Sequence, residues 1–155
     1  MSPRSHIRFL KRTRIEPDLV GNTSANGNPA GSVFWQPILA SRSGALVSVG
    51  LNIKTAAGNI RTALYSIAGA LLAESASVAV AAGWNDPSVT GVNIVANTEY
   101  VVAFQLSSLL AYSYYRAGTG SFLAYKAQAY AAFPASLPAG ATLFAGTENM
   151  RLTYT

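Results

Sequence analysis

The chain has 155 residues, half of them hydrophobic and only 11% charged, with no cysteine and a formal charge of +5. That length accommodates one domain with its own core. No apolar run reaches the roughly 18–20 residues of a membrane helix, and without cysteine neither a disulfide framework nor a thiolate metal centre can form.

The first fourteen residues, "MSPRSHIRFLKRTR", carry Arg4, Arg8, Lys11, Arg12 and Arg14 with no acid among them. The remaining residues hold six basic and six acidic side chains, so the whole excess charge belongs to this arm. No apolar stretch follows the charges, unlike a secretory signal. Ile7, Phe9 and Leu10 are interleaved with the basic residues, which suits an arm that docks on a neighbouring subunit: the apolar residues anchor it and the cations meet carbonyls or acids at the rim. Phosphate binding through counterion release is the competing use of the same cations. Residues 21–31, "GNTSANGNPAG", read as linker because Gly and Asn tolerate positive φ and Pro interrupts ladders. The organisation expected is a basic arm and linker over 1–31 and a β-sandwich domain over 32–155.

From Ser32 onward the apolar period is two, which sends alternate side chains to opposite faces of a strand. In "LVSVGLNIKT", Val47, Val49, Leu51 and Ile53 are expected on one face, with Ser48, Gly50, Asn52 and Lys54 on the other. Ile60, Thr62 and Leu64 alternate with Arg61, Ala63 and Tyr65. The alanine-rich "GALLAESASVAV" reads as strand because of its β-compatible ending. The turn "AAGWNDP" follows, then Val92 and Ile94, then Tyr100, Val102, Phe104 and Leu106 alternating with Val101, Ala103 and Gln105. "AYSYYRA", "SFLAYKAQAY", "ATLFAG" and "NMRLTYT" complete the set, separated by turn signals such as "FPASLPAG". About eight short antiparallel strands with Gly/Pro/Asn punctuation predict a sandwich or barrel.

Candidate chemistry is sparse. The single histidine, His6, lies in the arm, away from any patterned nucleophile and acid. Six scattered acids single out no glycosidase pair, and "AGTGS" lacks the lysine and strand–loop–helix setting of a phosphate loop. Asn85 and Asp86, with Glu99 or Glu148, are weak calcium ligands by spacing, and an Asx-turn role suits them better. No enzyme activity, metal or cofactor is expected. Trp35, Trp84, Tyr112, Tyr114 and Arg116 form the one candidate glycan-binding set, since aromatic faces stack on sugars. The same aromatics also serve cores and interfaces. Trp84, in its turn, reads as a plug closing the end of the sandwich, with Asn85 and Asp86 fixing the turn.

The run from Asn59 to Phe104 resembles jelly-roll-like β-sandwich modules of phage, virion and microbial surface proteins. In those modules an R-x-A-L-Y-S strand leads to L-A-E-S, a G-W-N turn and a T-x-Y-x-x-A-F strand. Arg61, Ala63, Leu64, Tyr65 and Ser66 match the first of these, and Leu72, Ala73, Glu74 and Ser75 the second. Gly83, Trp84 and Asn85 match the turn, and Thr98, Tyr100, Ala103 and Phe104 the last strand. The resemblance implies a jelly-roll-type sandwich in a capsid-decorating, tail or fibre protein located in the virion and assembled in the host cytoplasm. Its expected partners are further copies of itself and a major capsid or tail protein. A carbohydrate-binding module for attachment, or a small capsid protein with a genome-binding arm, are the alternatives.

Overall fold

The computed structural model describes residues 31–113, 115–116 and 122–155. The arm residues proposed for docking, Arg4, Ile7, Arg8, Phe9, Leu10, Lys11, Arg12 and Arg14, lie outside the described residues, as does Tyr114.

The described residues contain strands and no helix. In chain order these are β1 (Ser32–Leu39), β2 (Gly44–Thr55), β3 (Asn59–Ser66), β4 (Leu71–Glu74), β5 (Val78–Ala79), β6 (Gly83–Asn85), β7 (Asn93–Ile94), β8 (Glu99–Leu106), β9 (Tyr112–Ser113), β10 (Tyr115–Arg116), β11 (Phe122–Ala127), β12 (Thr142–Ala145), β13 (Thr147–Glu148) and β14 (Met150–Tyr154). The larger sheet runs β12-β11-β1-β8-β3-β4, with β5 also on β3; the smaller runs β14-β2-β6, with β7 and β9 also on β2. Every pairing is antiparallel, and the two sheets pack as a β-sandwich. The "GALLAESASVAV" segment is strand, as its ending predicts.

The strands exceed the expected eight because two long runs cross between the sheets and break into pieces. Residues 142–154 leave the larger sheet as β12, pair with β10 as β13, and enter the smaller sheet as β14. The corner is Gly146, whose φ of 151° is rarely adopted by residues with a Cβ. The run from β9 to β11 makes the reverse crossing alongside it. Strands that switch sheets in this way close the side of a sandwich.

Between the sheets lies one apolar core, containing Phe34, Ile38, Leu51, Ile53, Ile60, Leu64, Tyr100, Val102, Phe104, Leu106, Met150 and Leu152 among others. Phe34 lies stacked between Phe104, at 5.2 Å, and Tyr125, at 5.5 Å. One register expectation is corrected. Leu46, not Val47, enters the core, and Val47 is exposed. Consecutive residues Thr153 and Tyr154 pair with Ser48 and Leu46, so Val47 is the extra residue of a bulge. A bulge flips the facing of everything before it.

The larger sheet is also covered on its outer face. Val33, Ala63, Tyr65, Val101, Ala103 and Phe133 form a second buried cluster, with Trp35, Leu71 and Leu137 packed against it. Register places Ala63 beside Ala103 and Ala103 beside Trp35. These small residues leave the depth in which Trp35, Tyr65 and Phe133 can lie. The covering strap is residues 128–141, of which sequence reading takes 133–140 as a turn and 128–130 as the end of a strand that in the fold stops at Ala127. It is tied down by Phe133 N–H donating to Glu74 Oε2 (2.9 Å), Tyr65 O–H to the Pro134 carbonyl (2.9 Å) and Leu71 N–H to the Ala135 carbonyl (2.9 Å).

Candidate functional site

The outer face of the smaller sheet carries a linked polar and aromatic cluster. Val49, Leu51 and Ile53 of β2 point into the core, so Gly50 and Asn52 point outward. Across the ladder Arg151 lies opposite Gly50, and Trp84 lies opposite Asn52. Arg151 reaches over Gly50: its guanidinium carbon stands 4.2 Å from the centroid of the Trp84 ring, and its Nε donates to Asp86 Oδ1 at 2.7 Å. Nη2 makes a second bond to Asp86 Oδ2, so the pair is a two-pronged fork. Gly50 is required by this arrangement, because a Cβ there would overlap Asp86 Oδ1 and sit 3.0 Å from Arg151 Cγ.

Trp84 is therefore not a plug in a turn at the sandwich end. It occupies strand β6, half-buried on an outer face, with one side of its ring covered by a cation. Asn85 does fix the turn: its Oδ1 accepts from Ala81 N–H at 2.8 Å, and its Nδ2 donates to the Ala81 carbonyl at 2.7 Å. Asp86 does not share that task, being committed to Arg151. The aromatic candidates do not converge. Trp35 packs on the outer face of the larger sheet and Trp84 on the outer face of the smaller. Tyr112, half-buried, pairs with Thr55 in β9. Arg116 belongs to β10.

Several residues of the R-x-A-L-Y-S, L-A-E-S and T-x-Y-x-x-A-F runs tie neighbouring strands and turns together. Arg61 pairs with Glu74 at 3.4 Å, and Ser75 Oγ accepts from Thr62 N–H at 2.9 Å, which ties β3 to β4. Ser66 Oγ accepts from Ala70 N–H at 3.1 Å in the turn between them. Tyr100 O–H accepts from Val95 N–H at 3.0 Å. Burial, with the Glu74 carboxylate adding to it, pushes the Tyr65 phenol well above its ordinary value, so it remains a neutral donor to Pro134.

One titratable group, named from the sequence only as a weak calcium ligand, has a different setting in the fold. Glu148 is buried, and burial pushes its carboxyl up to about 8, partly offset by a hydrogen bond with Ser113. Its backbone is gripped by Gln36 of β1, whose Nε2 donates to the Glu148 carbonyl at 3.0 Å and whose Oε1 accepts from its N–H at 2.8 Å. Glu148 Oε2 has no hydrogen-bond partner among the described residues. Gln36 does not stand out in the sequence, and the burial of Glu148 is not legible there, because their polarity interrupts rather than extends the period-two pattern. Glu148 and Asp86 are thus in different places, one inside the sandwich and one on its face. Among the described residues no three His, Cys, Asp or Glu side chains gather where a metal could be held.

Large apolar side chains remain on the surface, with Ile67, Val95, Leu109, Leu110 and Leu143 each more than half exposed. No helix among the described residues is long and apolar enough to cross a membrane. No protein-family model matches this chain, and no curated protein matches it.

Proposed function

We propose that this chain is a structural, non-catalytic subunit that works by packing against other protein. A virion component, either capsid-decorating or part of a tail or fibre, is the setting its resemblance suggests. The observation that carries the reading is a contrast in how side chains are used. The polar and aromatic groups that could do chemistry are spent on internal ties, whereas Leu109, Leu110 and Leu143 face outward on a body with few charges. Water-facing apolar groups with little charge between them favour association. Partners in this reading are further copies and a major capsid or tail protein, with the basic arm as the docking extension; no cofactor takes part. Jelly-roll connectivity and a location in the virion, after assembly in the host cytoplasm, belong to the same proposal.

Analytical ultracentrifugation of the full chain and of a variant lacking residues 1–20 tests it. The full chain should self-associate, or bind a particle, more tightly than the truncated one. A full chain that stays monomeric at high concentration and attaches to no particle removes the reading. Glycan attachment ranks lower, because Arg151 already covers one face of the Trp84 ring. A Trp84→Ala variant that folds but loses a specific glycan would reverse that order.

A further inference from the structure

The larger sheet ends on one side at β12, and this edge differs from the other sheet edges. Exposed edges offer unpaired N–H and C=O groups to any passing strand, and proteins usually blunt them with charge, proline, brevity or a bulge. On the opposite side of the larger sheet, β4 pairs irregularly with β3 at Leu64/Tyr65, carries Glu74, and is preceded by Ala70, which bridges to Ser136 of the strap. In the smaller sheet, β6 is three residues long, and β14 carries Arg151. β12 is also short, at four residues, but it carries no charge, proline or bulge. No charged residue occurs between Lys126 and Glu148, and no proline occurs after Pro138. No strand among the described residues pairs with its outer side. Leu123 enters the core, so its neighbour Ala124 and the paired Leu143 face outward, and Leu143 is 62% exposed.

We propose that β12 pairs antiparallel with β12 of a second copy, joining two larger sheets into one continuous sheet. This rests on the assembly reading above and names the surface that would carry it. A second copy suits the edge because the strand is self-complementary. A two-fold axis through Leu143 sets it against Leu143 of the partner subunit on the same face, apolar against apolar. With no charge in the strand, nothing in the pairing is repelled by its own image. Backbone hydrogen bonds supply the attraction, and the two leucines bury each other.

The absence of cysteine allows a direct test. Residues directly opposite in an antiparallel pair have Cα atoms about 4.5–5.5 Å apart, within disulfide reach. A Leu143→Cys variant should therefore oxidise to a covalent dimer at dilute concentration at least tenfold faster than Thr90→Cys, an exposed polar control on a loop. A Leu143→Lys variant should weaken self-association at least tenfold in sedimentation while its melting temperature holds. Self-association untouched by Leu143→Lys, with cross-linking no faster than the control, overturns the β12 pairing and leaves assembly standing. A wild-type chain that never associates overturns both.

Discussion

Glu148 shows how one side chain can set a pH dependence that the surface does not share. In the unfolded chain it ionises near its ordinary value of 4.5, whereas in the fold burial holds its proton to about 8. The folded state therefore binds the proton more tightly. Its contribution to stability is fully present below the unfolded pKa and is lost as pH rises through the folded one. Between pH 4.5 and 8 the stability of the wild type should fall, by at most about 1.4 kcal/mol per pH unit. A Glu148→Gln variant should be flatter over the same window and more stable than wild type at pH 8. Denaturant melts at three pH values check this; parallel wild-type and variant profiles would show that the carboxyl ionises freely. Gly50 poses the opposite problem, since the missing side chain is what matters. A Gly50→Ala change drives a methyl into the Asp86–Arg151 fork and should cost about 1–3 kcal/mol, the usual range for overpacking. Adding Asp86→Ala should recover part of that loss by clearing the space, a coupling that a double-mutant cycle measures.

At the scale of the element, legibility depended on how regular each strand is. β8 is straight and central, and its alternation came through residue by residue: Tyr100, Val102, Phe104 and Leu106 enter the main core, while Val101 and Ala103 face the second cluster. Period two says that the faces differ, yet it cannot say that both are covered. Burial on the second face depends on the strap at 128–141, whose Gly, Pro and Ala content signals turn and nothing more. β2 was misread at its start because one bulged residue, Val47, inverts the pattern there and leaves no compositional mark. β6 is too short for alternation to register, so Trp84 could be placed only by its neighbours in space, Arg151 above all. The strap gives this scale its prediction. Phe133 is the side chain through which the strap enters the second cluster, meeting Tyr65 edge-on at 6.3 Å. A Phe133→Ala variant should lose about 3 kcal/mol. The amide protons of Leu71, Phe133 and Leu137 should exchange faster well before those of β8, because the strap can lift while the sandwich holds. Equal acceleration across both would mean that strap and sandwich unfold as one unit.

For the whole molecule, function was less legible than fold for a physical reason. A catalytic centre leaves conserved chemistry in a small set of residues, whereas a packing surface needs only apolar area, shape and little charge, which many sequences supply. Charge distribution still separates the modes of association. The contacts proposed for the body through Leu143 and its neighbours involve no ion pairs, so screening should leave them alone. Contacts made by the arm cations with phosphate would behave otherwise, since each released counterion adds to the salt slope. Raising salt from about 0.1 M to about 1 M shortens the screening length from about 10 Å to about 3 Å. Over that range the self-association constant of the chain lacking residues 1–20 should change by less than about threefold, because apolar burial and backbone pairing are insensitive to screening. Nucleic-acid binding by the full chain, if it occurs, should fall by orders of magnitude over the same interval. Sedimentation and filter binding across one salt series read both quantities. A body whose association collapses with salt would be held together by charges that its surface hardly contains, and the packing account would have to give way to an electrostatic one.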